Sequence, residues 1–331
     1  VKALSYGSGT FEIANILQYQ RVDYLGVAFA DEGVALREAG ITMPIVVMNP
    51  EQNSFDLMIE HQLEPEIYNF LVLYQFAEAV KNAGKRNFPV HLKLDTGMHR
   101  LGFVEEEIAQ LTNEIKTKDF LKIKSVFSHL AASDENIHDS FTKEQIQLFD
   151  KLSKKIMKTL NYPVIRHIAN SAGIERFPEA QYDMVRLGIG LYGISATNQE
   201  QLATVSTLKS TVIQTKQVKK DETIGYSRKA KALDDMTIAI VPVGYADGLN
   251  RQLGNGCGKL FINGFFAPIV GNICMDMCMV DITNCNIHEG DEVIIFGKEQ
   301  SVIDLANLLS TIPYEIFTSV STRVKRVYYQ E

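Results

Sequence analysis

The stretch VKALSYGSG, residues Val1–Gly9, decides how the rest of the chain is read. A β-branched residue and a lysine run into small residues and two glycines, with Tyr6 set among them. This reads as the end of a strand that empties into a permissive loop, where backbone or ligand can come close. Lys2 then stands where a buried strand opens into a cleft. A partly desolvated amine in such a place is a nucleophile able to form an imine with a carbonyl. A solvated terminal lysine is the plainer reading of nine residues taken alone, and the stretches that follow decide against it.

Outward from this stretch, short apolar runs alternate with longer amphipathic ones. After Val1 come Tyr24–Ala28, Pro44–Met48, Glu66–Asn69, Val90–Leu94, Ile123–Phe127, Pro163–Ile168 and Met184–Leu187, with helical patterns such as Asp31–Ala39 and Gln75–Gly84 between them. The fourth and eighth runs are the least regular. Eight strands alternating with helices predict an α/β fold, a parallel (β/α)8 TIM-type barrel over residues 1–203. From Thr204 the texture changes to apolar–polar alternation between glycine-containing turns, as in MTIAIVPVGYADG (236–248) and DEVIIFG (291–297). Residues 204–331 are therefore expected to form a C-terminal, mostly antiparallel β domain. The boundary, GISATNQEQLATVS (193–206), holds no Pro/Gly-rich linker, so close packing of the two domains is expected.

Composition narrows the function classes. A chain of 331 residues, 46% hydrophobic and 22% charged, suits a globular protein with a large core. A formal charge of −7 argues against nucleic acid or an anionic membrane as the main partner. No apolar run approaches a membrane span and no basic-then-apolar leader is visible, so a cytoplasmic protein is expected. The sequence opens inside what reads as a strand, and a preceding segment is expected to be missing from it. Cys257, Cys274, Cys278 and Cys285 lack paired metal-ligand spacing and read as reduced thiols, with no metal site.

In a (β/α)8 barrel, chemistry gathers at the carboxyl ends of the strands, and phosphate commonly sits near the loops after strands seven and eight. The unusual residues fall at those positions. DTGMHRLGF (95–103) follows the fifth strand, with Lys93 on the strand and Arg100 in the loop. SHLAASD (128–134) presents His129 after the sixth. ANSAG (169–173) starts a helix where Ser171 and backbone N–H groups could hold an anion, and RLGIGLYG (186–193) gives Arg186 and a glycine-rich turn. An amine from strand one, a histidine to stack on a ring and a phosphate cup describe a site for pyridoxal 5′-phosphate. Singly each piece has a plainer reading: a helix cap for NSAG, a core histidine for His129, a supporting role for His167. Lys93, if buried, is expected to meet a carboxylate or to be chemically modified.

Taken together, Lys2-Ala3 with Tyr6-Gly7, HLKLDTGMHRLGF, HIANSAG, MVRLGIGLYG, IGYSR, VGYADGLNR, GNICMDMCMVDI and PYEIFTSVSTRVKRVY resemble alanine racemase, in that family's order and nearly its spacing, over essentially the whole chain. The most specific features are the DTGM-R-LG loop, two tyrosine motifs nineteen residues apart, and the Met-Asp pair. The resemblance implies that Lys2 carries pyridoxal 5′-phosphate as an imine and acts as one base, while Tyr226 is the opposite base, contributed by a second copy. It implies that Tyr6, Ser171, the Gly188–Ile189 turn and Tyr314 hold the phosphate, and that His129 packs on the ring. Arg186 would face the pyridine nitrogen with His167 behind it. Arg100 and the backbone of Met275 would meet the substrate carboxylate, and Tyr245 and Asp276 would line the entrance. Lys93 sits where many members have a carbamylated lysine that steadies the arginine.

The sequence departs from the family at KALSYGSG, where the usual loop is KANAYGHG, and at His99, which replaces a small residue. Members also carry some tens of residues before the lysine, and some are the C-terminal half of a fusion with a cell-wall peptide ligase, an arrangement the variant loop suggests here. The implied function is interconversion of L- and D-alanine by two-base α-proton transfer in a homodimer with shared active sites, supplying D-alanine for peptidoglycan. A racemase for serine or lysine stays open on sequence alone. Arg186 and Tyr226 argue against a decarboxylase, and the β domain argues against a pyridoxal-phosphate carrier.

Overall fold

Six short parallel strands carry the first unit of the protein. The computed structural model describes residues 1–329. These divide into two compact units, one of Val1–Ser5 with Thr10–Leu202, the other of Tyr6–Gly9 with the chain from Ala203 onward. In the first, α1 (Lys2–Tyr6), α2 (Thr10–Tyr19), β1 (Leu25–Val27), α3 (Ala30–Glu38), β2 (Ile45–Val47), α4 (Phe55–Glu60), β3 (Glu64–Ile67), α5 (Phe70–Asn82), β4 (Phe88–Lys93), α6 (Ile108–Thr117), β5 (Leu121–Phe127), α7 (Asp139–Met157), β6 (Ile165–His167) and α8 (Ser171–Arg176) follow in order. The strands pair in sequence order, β1 to β6, all parallel. Each crossover helix buries an apolar stripe: α5 turns Val72, Leu73, Phe76, Ala77 and Val80 inward, and Asn69 caps it by accepting from Val72 N at 2.8 Å.

The expected first and eighth strands carry no ladder. The backbone nitrogen of Val1 donates to Gly26 O of β1 at 2.9 Å. The eighth segment is tied beside β6 by Asp183 N to Arg166 O at 3.1 Å and Arg186 N to Ala169 O at 3.0 Å, three residues on along both chains and so in the parallel sense. Six laddered strands, with a first segment held by one backbone bond and an eighth held by two, thus fill the eight stave positions of a (β/α)8 plan. The reason at the first position is α1. It is a turn of the opposite hand, with Ala3, Leu4, Ser5 and Tyr6 at φ of 52°, 54°, 51° and 54°. Its closing bond runs from Ser5 N to Val1 O at 3.0 Å. The expected loop after Lys2 is therefore four consecutive left-handed residues, none of them glycine.

The second unit holds β7 (Leu208–Thr211), β8 (Gln214–Val218), β9 (Thr223–Ile224), β10 (Ala230–Lys231), β11 (Met236–Val241), β12 (Lys259–Ile262), β13 (Phe265–Val270), β14 (Cys278–Asp281), β15 (Glu292–Phe296), α9 (Val302–Leu308) and α10 (Pro313–Ser319). Seven strands form an antiparallel sheet in the order β7-β15-β12-β13-β14-β11-β8, and β9 pairs with β10 in a separate ribbon. The β12–β13 hairpin turns on Asn263-Gly264, both at positive φ (47° and 86°), as a two-residue turn of a right-twisted hairpin requires. The last described residues grip the stretch that follows α1. Arg326 Nε and Nη2 donate to Gly7 O at 3.0 and 2.8 Å, and the Tyr328 hydroxyl donates to Ser8 O at 2.8 Å. Gly7 admits no side chain, because a Cβ there would lie 2.1 Å from Phe317 O. Among the described residues no helix is long and apolar enough to cross a membrane.

Candidate active site

Alternation along the parallel strands places an uncommon set of side chains on one face of the sheet. Glu64 and Glu66 of β3, His91 and Lys93 of β4, Ser125 and Phe127 of β5, and His167 of β6 contact one another there, and all are buried. Leu92 and Val126 alternate to the other side and join the apolar core. Arg186 closes this cluster. Its Nη1 lies 2.6 Å from His167 Nδ1, and its Nη2 donates to Ser128 O at 2.7 Å and Ile168 O at 3.0 Å while lying 3.2 Å from His129 Nδ1. His167 in turn stacks on Phe127, with ring centroids 4.8 Å apart and planes 4° from parallel.

The electrostatics follow from this enclosure. Burial lowers the pKa of the Arg186 guanidinium to about 10, with Glu66 opposing, so it stays charged near neutral pH. Burial, and then the charges of Arg186, Lys93, Arg100 and Lys2, push His129 down to about 2. His167 is held well below the usual imidazole range by burial and by Arg186. Two neutral imidazoles therefore face one permanent cation. That the charges of Lys2 and Arg100 bear on His129 also brings these two exposed residues to the same end of the unit. Lys2 is exposed rather than partly desolvated as expected.

Lys93 meets a carboxylate, with Nζ donating to Glu66 Oε1 at 3.2 Å and lying 4.6 Å from the centre of the Phe127 ring. Burial pushes the Glu66 carboxyl up and the Lys93 ammonium down, each pulled back by the other.

The start of α8 is where an anion could be cradled. Asn170 caps that helix by accepting from Gly173 N at 2.9 Å. Ser171 Oγ accepts from Gly188 N at 3.0 Å and from Gly190 N at 3.1 Å, which leaves its own proton to be donated elsewhere. A Cβ on Gly190 would lie 3.3 Å from Ser171 Oγ, so a side chain would crowd the cradle. The donor set, the Ser171 hydroxyl and the Ile189 amide at the start of the glycine-rich turn, fits a phosphate monoester, and the neutral His129 beside Arg186 fits a heteroaromatic ring.

The second unit groups the remaining residues. The rings of Tyr6 and Tyr314 lie 5.8 Å apart, and burial pushes the Tyr6 phenol up. Tyr226 opens a short 3-10 turn between β9 and β10 and is 70% exposed, while its carbonyl accepts from Asn272 Nδ2 at 3.2 Å. Tyr245 N donates to Cys274 O at 3.1 Å, next to Met275. Asp276 is bonded at 2.7 Å by Arg323, whose Nε also donates to Asp247 at 2.7 Å. Met275 and Tyr245 are exposed with Tyr226, so three of the named side chains project from this unit.

Sequence reading passed over Glu32, Glu64, Glu66, His91 and Ser125. Glu32 accepts from Ala3 N at 2.7 Å through Oε1, and from Ala28 N at 2.6 Å and Phe29 N at 3.3 Å through Oε2, so one carboxylate fastens the left-handed turn to the start of α3. The signal available for the others was two acids at i and i+2 in EPEI and a histidine two before Lys93, each pair sharing one face of a strand.

Two family models cover nearly the whole chain: alanine racemase, N-terminal domain, over residues 1–196, and alanine racemase, C-terminal domain, over residues 205–328. Alanine racemase 1 of Clostridium acetobutylicum is 36% identical over 344 residues, covering 99% of this chain and 87% of that protein. Among solved structures, alanine racemase of Clostridium difficile 630 superposes with a TM-score of 0.92 at 36% identity, covering 99% of this chain and 87% of that one. Alanine racemase from Bartonella henselae with covalently bound pyridoxal phosphate superposes with a TM-score of 0.89 at 29% identity, covering 99% and 91%. With both domains matched in order and a full-length likeness to these enzymes, the chain belongs to the alanine racemase family and interconverts L- and D-alanine.

Proposed function

We propose that the interconversion runs by two-base proton transfer, with Lys2 and Tyr226 on opposite faces of the substrate carbon and pyridoxal 5′-phosphate as cofactor. The observation that carries this reading is the constellation around Arg186, a guanidinium fixed by backbone carbonyls and flanked by two neutral histidines. Lys2 would hold the cofactor through its amine, His129 would pack on its ring, and Arg186 would face the ring nitrogen with His167 behind it. Ser171 and the Gly188–Ile189 amides would hold its phosphate together with Tyr6 and Tyr314. When bound, the cofactor supplies an electron sink for the carbon that loses its proton.

The chain's own residues do the rest. An arginine that stays charged would disfavour a proton on a ring nitrogen placed beside it, and so would disfavour transamination. Arg100 and the backbone of Met275 take the substrate carboxylate, which fixes the substrate hydrogen in line with one base or the other. Lys93 would support Arg100 through the Glu66 carboxylate that both cations attract, and Tyr245 and Asp276 would line the entrance. The exposed Tyr226 turn suits a base presented to a second copy, so the working form is a homodimer of shared, isologous sites. The reaction belongs in the cytoplasm, where it supplies D-alanine for peptidoglycan.

The test is Tyr226→Phe, followed by α-proton exchange from each alanine enantiomer in deuterated water. Cofactor absorbance should persist, while exchange from one enantiomer falls by about 10²–10⁴-fold and the other is spared. Small, equal losses for both enantiomers refute the role of Tyr226, and an active monomer in sedimentation refutes the shared site.

A further inference from the structure

Glu64, His91 and Ser125, which the proposed mechanism leaves unused, join His167 and Arg186 in one continuous chain of hydrogen bonds. Arg186 Nη1 lies 2.6 Å from His167 Nδ1, and His167 Nε2 lies 3.0 Å from Ser125 Oγ. Ser125 Oγ lies 2.7 Å from His91 Nδ1, and His91 Nε2 lies 2.8 Å from Glu64 Oε2. The chain thus steps across β6, β5, β4 and β3, one residue per strand. Glu64, His91, Ser125 and His167 are all under a tenth exposed.

Its two ends fix its direction. A guanidinium only donates, so His167 Nδ1 must accept and the proton of that ring must sit on Nε2. An ionised carboxylate only accepts, so a neutral His91 carries its proton on Nε2 and offers Nδ1 as an acceptor. The Ser125 hydroxyl then has one arrangement open to it, accepting from His167 and donating to His91. With both rings neutral every proton in the relay has a single place, and a buried serine without these partners would be an unsatisfied polar group in the middle of the sheet. At its far end Glu64 also lines a cavity of about 300 Å³ at the amino-terminal ends of β2, β3 and β4, together with Arg37, Lys85 and Arg86. The relay therefore runs from the residues that would face the cofactor to a second opening of the same unit.

We propose that Glu64, His91 and Ser125 are positioning residues for Arg186, acting through His167 to fix which imidazole nitrogen meets the guanidinium. This rests on the role given to Arg186 above. The relay holds Arg186 from behind, while Ser128 O and Ile168 O hold it from the sides.

The experiment uses the full chain without cofactor, labelled with 15N-histidine, and reads imidazole nitrogens by long-range 15N–1H spectra. The expected result is that His91 and His167 are both neutral with the proton on Nε2. Glu64→Gln touches only His91 directly, so the relay predicts that the His167 nitrogens shift as well. Ser125→Ala should sever that response, and Ser125→Thr, which keeps the hydroxyl, should restore it. In the loaded enzyme Ser125→Ala should lower kcat about tenfold, as the loss of one such bond implies, with KM little changed and Ser125→Thr near wild type. A proton on Nδ1 of either ring, a charged ring, or a Glu64→Gln response confined to His91 overturns the relay. Altered spectra with unaltered kcat overturn the positioning role. These readings do not depend on the Tyr226→Phe result, so failure of the relay and failure of the two-base assignment are separable.

Discussion

Ala3→Gly should stabilise this protein, the reverse of what the same change does in an ordinary helix. Ala3 stands at φ 52° and ψ 56° within four successive left-handed residues. A side chain in that conformation costs about 1–2 kcal/mol, and glycine removes the cost. Against this, glycine frees the unfolded chain by about 0.4–1 kcal/mol, which leaves a net gain of roughly 0–1.5 kcal/mol. Ala3 is exposed, so no packing is lost with its methyl. The control is Ala35→Gly, at an exposed position of the right-handed helix α3 in the same unit, which should cost about 1 kcal/mol. Calorimetric unfolding of the two variants should move the midpoint in opposite directions, by about 2 °C per kcal/mol. Equal destabilisation by both would refute the claim that α1 stores strain. The strain should also matter to activity, because Lys2 leads into this turn and Glu32 fastens it at Ala3 N. A stabilised Ala3→Gly enzyme with lower kcat would mark a site where stability is given up to hold the lysine still.

Acid should destabilise the cofactor-free chain before carboxylates titrate. His129 has a folded pKa near 2 against an ordinary value of 6.5, so its stabilising contribution is complete above pH 6.5 and is lost progressively as pH falls toward 2. At pH 5 the loss is about 2 kcal/mol, His167 acts in the same sense, and a stability flat from pH 6.5 to 5 in urea titrations would contradict this. Lys93 should take up no carbamate from 13C-bicarbonate, because a second buried anion about 4 Å from the Glu66 carboxylate would add roughly 4 kcal/mol of repulsion at an effective dielectric of 20. Glu66→Gln should permit the label, and a carbamate signal in the wild type would refute the assignment. Ser171→Ala should weaken pyridoxal phosphate about tenfold by loss of a charge-assisted hydrogen bond, read by absorbance titration of the cofactor-free chain, and an unchanged Kd would remove Ser171 from the cradle.

What could be read from the sequence was whatever periodicity or a tight motif encodes. The strand runs at Tyr24–Ala28, Pro44–Met48, Val90–Leu94 and Ile123–Phe127 each contain or overlap an observed strand, because a buried parallel strand must be apolar over several residues. Val1 and Met184–Leu187 have the composition of strands but lack ladders, since backbone conformation at their neighbours decides that. Nothing in KALSY announces a left-handed turn, because none of its residues favours that conformation, and the grip of Glu32 and the closing bond to Val1, which help to offset its cost, exist only in the folded chain. Lys93 was legible as a lysine needing a partner, but the partner was not, because Glu66 comes from the adjacent strand 27 positions earlier. Ser125 was invisible for the same reason: its place between two histidines exists only once β4, β5 and β6 are in register.

The grip of Arg326 and Tyr328 on Gly7 and Ser8 spans 319 and 320 positions of the chain. A ribosome delivers the lysine loop among the first residues of this sequence and its clamp among the last. Until translation has run that whole distance, the loop has no partner for two of its carbonyls, and a nascent chain cannot hold it in its final form. The final form of the lysine loop is thereby tied to synthesis having passed Tyr328.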